Sequence, residues 1–239
     1  MITVNNLLKK YKGVKAVSID KLTIFEGEVI GLVGNNGAGK TTFFRLLLDL
    51  IRADEGEILS KGNAVTHSEV WKSYTAAYID EGFLIEYLTP EEYFYFVGKL
   101  NQLSKADVDD FLHPYSAFFD DAILKKGKYI RDFSKGNQFK IGIVAALLTK
   151  PELLILDEPF ANLDPTTQLR LVDMIKKLAA ENKMCIIVSS HDINHIAEVS
   201  SRILLMEKGS IIKDFAGGDS AYNELVMYFK VKIPSHNEP

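Results

Sequence analysis

The 239-residue sequence predicts an α/β fold with a mostly parallel sheet. Three observations support this prediction. A glycine-rich loop lies between the apolar run Val29–Val33 and a helix-like segment that begins near Lys40. Two further apolar runs, Leu153–Leu156 and Met184–Val188, are continuous rather than alternating, as strands are when both faces of a parallel sheet are buried. Helix-like segments separate these strands, and such alternation is typical of α/β proteins.

Composition limits the classes of function. Hydrophobic residues make up 47% of the chain and charged residues 25%, which is typical of a soluble globular protein. The net charge of −4 gives no indication of a nucleic acid partner.

The longest apolar run, Ile141–Leu148, is too short to cross a bilayer, and the first residues lack the apolar core of a signal peptide. A role at a membrane would therefore require another chain. The single cysteine, Cys185, is expected to be a buried hydrophobic residue in a reducing compartment.

Two segments depart from the parallel pattern. The first thirty residues alternate between apolar and polar positions and predict a small antiparallel β-sheet. Residues 83–130 read as a mostly helical insertion that follows a strand near residues 76–79. Within it, Thr89 begins a capping box with Glu92, and Ser104 is expected to cap a second short helix that ends at Pro114. Ser134 is then expected to cap a helix over residues 136–149.

The glycine-rich loop, GNNGAGKTT from Gly34 to Thr42, matches the phosphate-binding P-loop pattern. Its glycines allow several backbone N–H groups to point at one anion, and the following helix brings its positive N-terminus to the same place. Lys40 is expected to reach the β- and γ-phosphates, and the Thr41 hydroxyl is expected to hold Mg²⁺. The alternative is a glycine turn without a ligand, which the flanking strand and helix make the weaker interpretation.

Two acidic residues, Asp157 and Glu158, follow the buried strand Leu153–Leu156. In open α/β sheets, ligands bind at the carboxyl ends of the strands. Asp157 is therefore placed to hold Mg²⁺ beside Thr41, and Glu158 is placed to orient or deprotonate an attacking water. The alternative is that both acids begin a solvated loop.

The order of these motifs resembles that of the ATP-binding cassette (ABC) ATPases, and the resemblance covers nearly the whole chain. Phe133–Asn137 stands in the place of the LSGGQ signature, and Ala161–Asp164 matches the D-loop. His191 matches the switch histidine, and Tyr11 matches the aromatic residue that stacks on adenine. Glu81 stands where the family usually has the glutamine of the Q-loop.

The resemblance implies one ABC ATPase domain over residues 1–239, with a P-loop NTPase (RecA-like) core in two parts, 1–82 and 151–232. A helical signature subdomain would occupy 83–150, and 233–239 would be a frayed tail. The implied ligands are ATP and Mg²⁺. The nucleotide is expected to contact Tyr11, Asn35, Asn36, Gly37, Ala38, Gly39, Lys40, Thr41 and Thr42. The expected catalytic residues are Glu158, His191 and Lys40, and the expected metal site consists of Thr41, Asp157 and Glu81.

The family closes its site by head-to-tail dimerisation, so that the signature of one subunit covers the nucleotide of the other. Ser134 and Gly136 begin a helix and would supply a second phosphate-binding N-terminus. A homodimer in the ATP-bound state would then bury two ATP molecules at a two-fold interface. For Tyr11 and His191 plainer roles stay open, as an exposed tyrosine packed on its own sheet and as a core histidine. His195 is expected to be an ordinary residue on a helix surface.

Four positions depart from the family pattern. Lys135 and Asn137 replace a glycine and a glutamine of the signature, Glu81 replaces the Q-loop glutamine, and Ala161 replaces a small hydroxyl residue of the D-loop. These changes bear on the rate of hydrolysis rather than on ATP binding, because the P-loop, both acids and His191 are intact. A lysine in the signature is also familiar among cassettes that serve ABC-2-type exporters.

Four consecutive aromatic residues, at positions 93–96, have two interpretations. They could form the core of the helical subdomain. However, one helix cannot turn all four inward, so some must be exposed or lie against a partner. In the family, the groove beside the Q-loop receives a helix of the transmembrane subunit, and residues 81–96 are the expected contact surface here.

The sequence as a whole predicts an ATP-hydrolysing subunit that powers transport through a separate transmembrane permease subunit, with export favoured over import. Such a chain would be cytoplasmic and peripheral on the inner face of the cell membrane. An importer cassette is one alternative. A soluble cassette ATPase that acts on ribosomes or DNA is another, although such proteins usually carry two cassettes. A P-loop kinase or GTPase would leave the signature-like segment unexplained.

Overall fold

The computed structural model describes residues 1–79 and 84–231, and it contains two sheets with helices around them. The strands are β1 (Ile2–Tyr11), β2 (Val14–Ile24), β3 (Val29–Val33), β4 (Glu55–Ser60), β5 (Asn63–Ala64), β6 (Thr75–Tyr78), β7 (Leu153–Leu156), β8 (Cys185–Ser190), β9 (Arg202–Glu207) and β10 (Ser210–Ala216). The α-helices are α1 (Lys40–Leu47), α2 (Pro90–Leu100), α3 (Lys105–Leu112), α4 (Ser116–Phe119), α5 (Lys135–Leu148), α6 (Pro165–Asn182), α7 (Ile193–Val199) and α8 (Asp219–Val231).

The larger sheet has the strand order β10-β9-β3-β8-β7-β6, and all its pairs are parallel except β9 with β10. The smaller sheet is antiparallel, in the order β2-β1-β4-β5. The predicted α/β class, the parallel core and the N-terminal antiparallel sheet are therefore confirmed. The sheet order places β3, β8 and β7 side by side, so their carboxyl ends share one edge.

Alternation along the parallel strands divides the core into two layers. On β3, Val29 and Val33 pack in the layer that contains α5, whereas Ile30 and Leu32 pack with α1 and the antiparallel sheet. Strand β7 alternates in the same way, and every residue of β3, β7 and β8 is buried. Continuous apolar sequence is therefore required here, because each strand contributes side chains to both layers.

The helical insertion begins as the sequence predicts. Thr89 and Ser104 both form capping boxes, with Glu92 and Asp107 respectively, at the starts of α2 and α3. Helix α3 ends at Leu112, and the chain continues through Pro114 as a short 3-10 turn into α4. Of the four aromatic residues, Phe94 is buried and Phe96 is exposed. The prediction that all four cannot face the core is confirmed.

Helix α5 is more buried than an amphipathic surface helix. The sequence assigns one apolar face to it, yet residues from Gln138 to Ala145 are buried without interruption. This helix packs between the larger sheet and the rest of the helical insertion, so several of its faces have neighbours. Its central position ties the signature segment, at its N-terminus, to the core of the molecule.

Helix α8, which follows β10, packs against the core. Ala221 and Leu225 on this helix are buried in the layer that contains α5, and the Tyr228 hydroxyl donates a hydrogen bond to Glu207 Oε2. Cys185 is buried as expected, and burial raises the pKa of its thiol to about 12. Among the residues that the structure describes, no helix is long and apolar enough to cross a membrane.

Candidate functional site

The P-loop connects β3 to α1 and has the backbone that a phosphate cradle requires. Gly37 and Gly39 have φ values of 80° and 109°, a region that residues with a side chain rarely adopt. Gly34 lies so close to the Met206 carbonyl that a Cβ atom would collide with it. Asn35, Asn36 and Gly37 are exposed, whereas Ala38 is buried. Helix α1 receives no side-chain hydrogen bond at its N-cap, Gly39, so its first N–H groups are available to an anion.

Lys40 is the first residue of α1, and its side chain is only 6% exposed. Its Nζ donates a hydrogen bond to the Gly34 carbonyl oxygen at 2.6 Å and lies 3.3 Å from Glu158 Oε1. A buried ammonium group is stable only when it is paired and hydrogen-bonded. The two contacts meet this condition, and they hold the cation between the P-loop and the second acid.

Thr41 and Asp157 form the link between α1 and the end of β7. The Thr41 hydroxyl donates to Asp157 Oδ2 at 2.6 Å, and the Ser189 hydroxyl donates to Asp157 Oδ1. Burial raises the pKa of Asp157, while the two hydrogen bonds act in the opposite direction. A carboxylate beside a hydroxyl is an oxygen-rich environment of the kind that Mg²⁺ prefers.

Of the three expected magnesium ligands, the structure describes Thr41 and Asp157, and Glu81 lies outside the described residues. Within residues 1–79 and 84–231, no cluster of three or more His, Cys, Asp or Glu side chains could hold a metal ion. The pair of Thr41 and Asp157 nevertheless fits Mg²⁺, which usually takes one or two protein ligands and completes its shell with waters and phosphate oxygens.

Glu158 is the most connected residue of the site. Its N–H donates to Ser189 Oγ at 2.9 Å, and its Oε2 accepts a hydrogen bond from the His191 N–H at 3.2 Å. His191 Nδ1 lies 2.8 Å from the same oxygen. The backbone of Glu158 has a φ value of 50°, in the left-handed region that side chains disfavour. These contacts turn the carboxylate toward the edge that carries the P-loop.

His191 follows β8, and its side chain is exposed. The possibility that it is an ordinary core histidine is therefore excluded. A donor or acceptor at this place, in contact with Glu158, is suited to sense a phosphate bound at the P-loop. His191 thus joins Lys40, Thr41, Asp157 and Glu158 in one connected polar group at the carboxyl ends of β3, β8 and β7.

The signature segment lies at the start of α5. Ser134 caps this helix by accepting a hydrogen bond from the Asn137 N–H at 3.3 Å. Gly136 packs against the backbone of the D-loop, since a Cβ atom there would lie 2.8 Å from the Asn162 carbonyl oxygen. Lys135 is exposed and lines a cavity of about 280 Å³ with Asp157, Glu158 and the D-loop. The described contacts of Ser134 and Gly136 are thus with α5 and the D-loop, not with the P-loop.

Tyr11 ends β1 and is paired with Val14 across the hairpin. It is exposed, and Lys9 Nζ lies 5.6 Å from the centre of its ring. The carbonyl of Ala16, two residues beyond Val14, contacts Gly39 of the P-loop. The hairpin therefore reaches the vicinity of the cradle, and adenine stacking on Tyr11 stays a prediction.

The sequence pattern indicates neither the contacts of Ser189 nor the position of the His195 ring. Ser189 donates to Asp157 and accepts from the Glu158 N–H, and the available signal was a hydroxyl at the end of a buried strand. His195 was expected on a helix surface, but the structure places its ring against Phe160, with centroids 4.6 Å apart and an angle of 13° between the planes. The periodicity of α7 could not reveal this contact, because Phe160 comes from another part of the chain.

Comparisons with known proteins agree with this geometry. Residues 17–161 match the family model described as ABC transporter. The chain is 33% identical to YcbN of Bacillus subtilis, an uncharacterised ABC transporter ATP-binding protein, over 95% of this chain and 74% of that protein. It is 31% identical to the bacitracin transport ATP-binding protein BcrA of Enterococcus faecalis, over 90% of this chain and 68% of that protein.

Two solved structures are also similar. The ATP-binding subunit of an ABC transporter is 25% identical, with a TM-score of 0.81 over 98% of this chain and 95% of that one. The dimeric cassette MJ0796, in a post-hydrolysis state bound to ADP and phosphate, is 22% identical, with a TM-score of 0.79 over 90% of this chain and 98% of that one. At that identity, the second likeness supports the fold alone. The chain therefore belongs to the family of ABC transporter ATP-binding proteins, and it is an ATP-binding ATPase of that family.

Proposed function

We propose that the protein couples ATP hydrolysis to export through a separate transmembrane subunit. The observation that supports this most directly is the connected group of Lys40, Glu158 and His191 at the edge of the parallel sheet. In a chain of this family, that group would hold ATP from one side. Mg²⁺ would be bound by Thr41 and Asp157, and it would stabilise the charge that develops on the phosphates.

Dimer closure is the proposed mechanical step. Two copies would meet with the ATP of each P-loop facing the Ser134 and Gly136 of the other copy, and hydrolysis would let them separate. Glu158 would take a proton from the attacking water, and His191 would hold the carboxylate in place. ATP drives such a cycle only if it binds the closed dimer more tightly than the open one.

The proposed direction of transport is export. The lysine at position 135 and the similarity to a bacitracin transport protein support export. Reconstitution of this chain with its transmembrane subunit in vesicles tests the direction. The proposal expects ATP added on the cassette side to drive solute away from that side. Movement toward the cassette side would identify an importer, and binding to ribosomes or DNA without a membrane partner would identify a soluble cassette.

The contact with the transmembrane subunit is proposed for residues 81–96, of which positions 84–96 are described. Two aromatic side chains there are open to solvent, Tyr87 at 70% and Phe96 at 43% exposure. Arg131 lies against the Tyr87 ring, with its Cζ 4.9 Å from the ring centre. Aromatic and arginine side chains are enriched where protein partners meet. The protein would then be peripheral on the cytoplasmic face of the membrane.

Substitution at this surface tests the contact. Tyr87→Glu together with Phe96→Glu should remove most of the transmembrane subunit that copurifies with the protein, while ATP binding persists. Leu169→Glu is a matched control, because Leu169 is 60% exposed and lies on α6. If the double variant retains its partner as well as the control does, the contact lies elsewhere.

A further inference from the structure

Phe160 stands two residues after Glu158, and its side chain is buried at 3% exposure. Its carbonyl oxygen accepts a hydrogen bond from Gln168 Nε2 at 2.9 Å, so α6 holds the backbone at this point. The ring itself is held by a different element. His195 of α7 lies parallel to it at a centroid distance of 4.6 Å.

The His195 ring lies beside the start of its own helix. Its Nδ1 lies 3.2 Å from Asp192 Oδ2, and its side chain is only 17% exposed. Within the described residues this nitrogen has no hydrogen-bond partner, so the ring is held by its packing against Phe160. Asp192 is also the N-cap of α7, because its Oδ1 accepts a hydrogen bond from the Asn194 N–H at 2.9 Å.

Asp192 directly follows His191, which contacts Glu158. His195 therefore contacts the chain on both sides of the Glu158–His191 contact. It packs on Phe160, two residues after Glu158, and it lies beside Asp192, directly after His191. The segments that carry Glu158 and His191 are thus joined twice. One contact is the 2.8 Å approach of His191 Nδ1 to Glu158 Oε2, and the other is the stack of His195 on Phe160. An aromatic ring at position 195 is needed for this, since parallel rings restrict both the distance and the tilt of the partners.

We propose that His195 is a positioning residue for ATP hydrolysis. By stacking on Phe160, it holds the segment from His191 to the start of α7 against the loop that follows Glu158. The inference depends on the ATPase activity of the family and is independent of the direction of transport. The contacts of His195 in the described part of the chain are with Phe160 and Asp192, not with the P-loop, so its role concerns the chemical step and not the affinity for ATP. A misplacement of a reacting group by about 1 Å can slow such a step by about a hundredfold.

The test uses the full chain and three variants. His195→Ala should lower kcat about tenfold and leave the KM for ATP within about twofold. His195→Phe restores a flat ring and should recover most of the rate. Glu198→Gln is the matched control, because Glu198 lies on the same helix and pairs with Lys176, away from the stack. It should retain the parent rate.

A double variant separates positioning from general destabilisation. If His195 acts through His191, then His191→Ala with His195→Ala should be no slower than His191→Ala alone. The thermal midpoint of each variant is measured in parallel. The proposal is overturned if His195→Ala retains the parent kcat, if His195→Phe is as slow as His195→Ala, or if the two alanine substitutions multiply.

Discussion

The P-loop side and the signature segment of this chain are built differently. On the P-loop side, Lys40 and Glu158 are paired, and Thr41, Asp157 and Ser189 are joined by hydrogen bonds across three adjacent strands. On the signature side, the described contacts of Ser134 and Gly136 are with α5 and the D-loop. The first part is a connected group with its charges already in place. The second part is the start of α5, where an exposed serine caps the helix.

The difference indicates where the catalytic power of the chain resides. Groups that are fixed before the substrate arrives do not have to reorganise during the reaction, and they stabilise a developing charge most effectively. Substitutions on the P-loop side should therefore change binding or chemistry within one chain. Substitutions on the signature side should change only what two copies do together.

The largest expected effect comes from Glu158→Gln, which keeps the shape of the side chain and removes its basicity. Hydrolysis should fall by about two to four orders of magnitude, and ATP binding should persist. The variant should also accumulate as an ATP-bound dimer, visible by size-exclusion chromatography. Glu152→Gln, at the exposed start of β7, is the control. An unchanged turnover rate for Glu158→Gln would exclude Glu158 as the base.

The next largest effect, on ATP affinity, should follow Lys40→Ala, which removes a buried charge from the P-loop side. The loss of a charge-assisted contact with phosphate costs about 1.5–3 kcal/mol, which corresponds to roughly ten- to a hundredfold in the dissociation constant for ATP. Calorimetric titration of the isolated chain with ATP measures this dissociation constant. Lys213→Ala, at an exposed ion pair with Glu224, should bind ATP normally. Equal affinities in the two variants would contradict the role of Lys40.

A smaller effect is expected from Gly136→Ala on the signature side. A methyl group there would lie 2.8 Å from the Asn162 carbonyl oxygen, so the start of α5 must shift relative to the D-loop. ATP binding by a single chain should be unchanged, whereas turnover should fall by about tenfold, because dimer closure would be misaligned. A loss of ATP affinity in the isolated chain would show that the signature side affects nucleotide binding at the P-loop of the same chain.

The smallest effect concerns stability and the raised pKa of Asp157. A carboxyl whose folded-state pKa is raised binds its proton more tightly in the native state, so its ionisation destabilises the fold. This penalty is absent below the ordinary pKa of 3.8, and it grows as the pH rises through the raised value. Asp157→Asn should therefore raise the thermal midpoint at pH 7 without nucleotide or metal, and the difference should vanish as the pH falls below 3.8. A variant less stable at pH 7 would contradict this.

Features that depend on neighbouring residues in the chain were predictable. The capping boxes at Thr89 and Ser104, the P-loop and the buried strand Leu153–Leu156 all follow from local spacing. The edge at which the acids and the P-loop meet was predictable too, because parallel strands place their carboxyl ends together. The continuous apolar runs predict that arrangement.

Features that depend on the order of strands in the sheet were not predictable. Ser189 bridges the two acids only because β8 lies between β3 and β7, and no spacing in the sequence gives this order. The stack of His195 on Phe160 depends in the same way on how α7 packs. The uninterrupted burial along α5 was also hidden, since periodicity reports one face and not the number of neighbours.

The left-handed backbone of Glu158 has an evolutionary consequence. Glycine or asparagine would adopt a φ value of 50° with less strain, because an ordinary residue held in such a conformation costs about 1–3 kcal/mol. Glutamate at this position therefore lowers the stability of the fold. A duplicated copy released from the need to hydrolyse ATP should drift toward glycine or asparagine at this position. The residue found there in a relative would then distinguish a working ATPase from a cassette that only binds and closes.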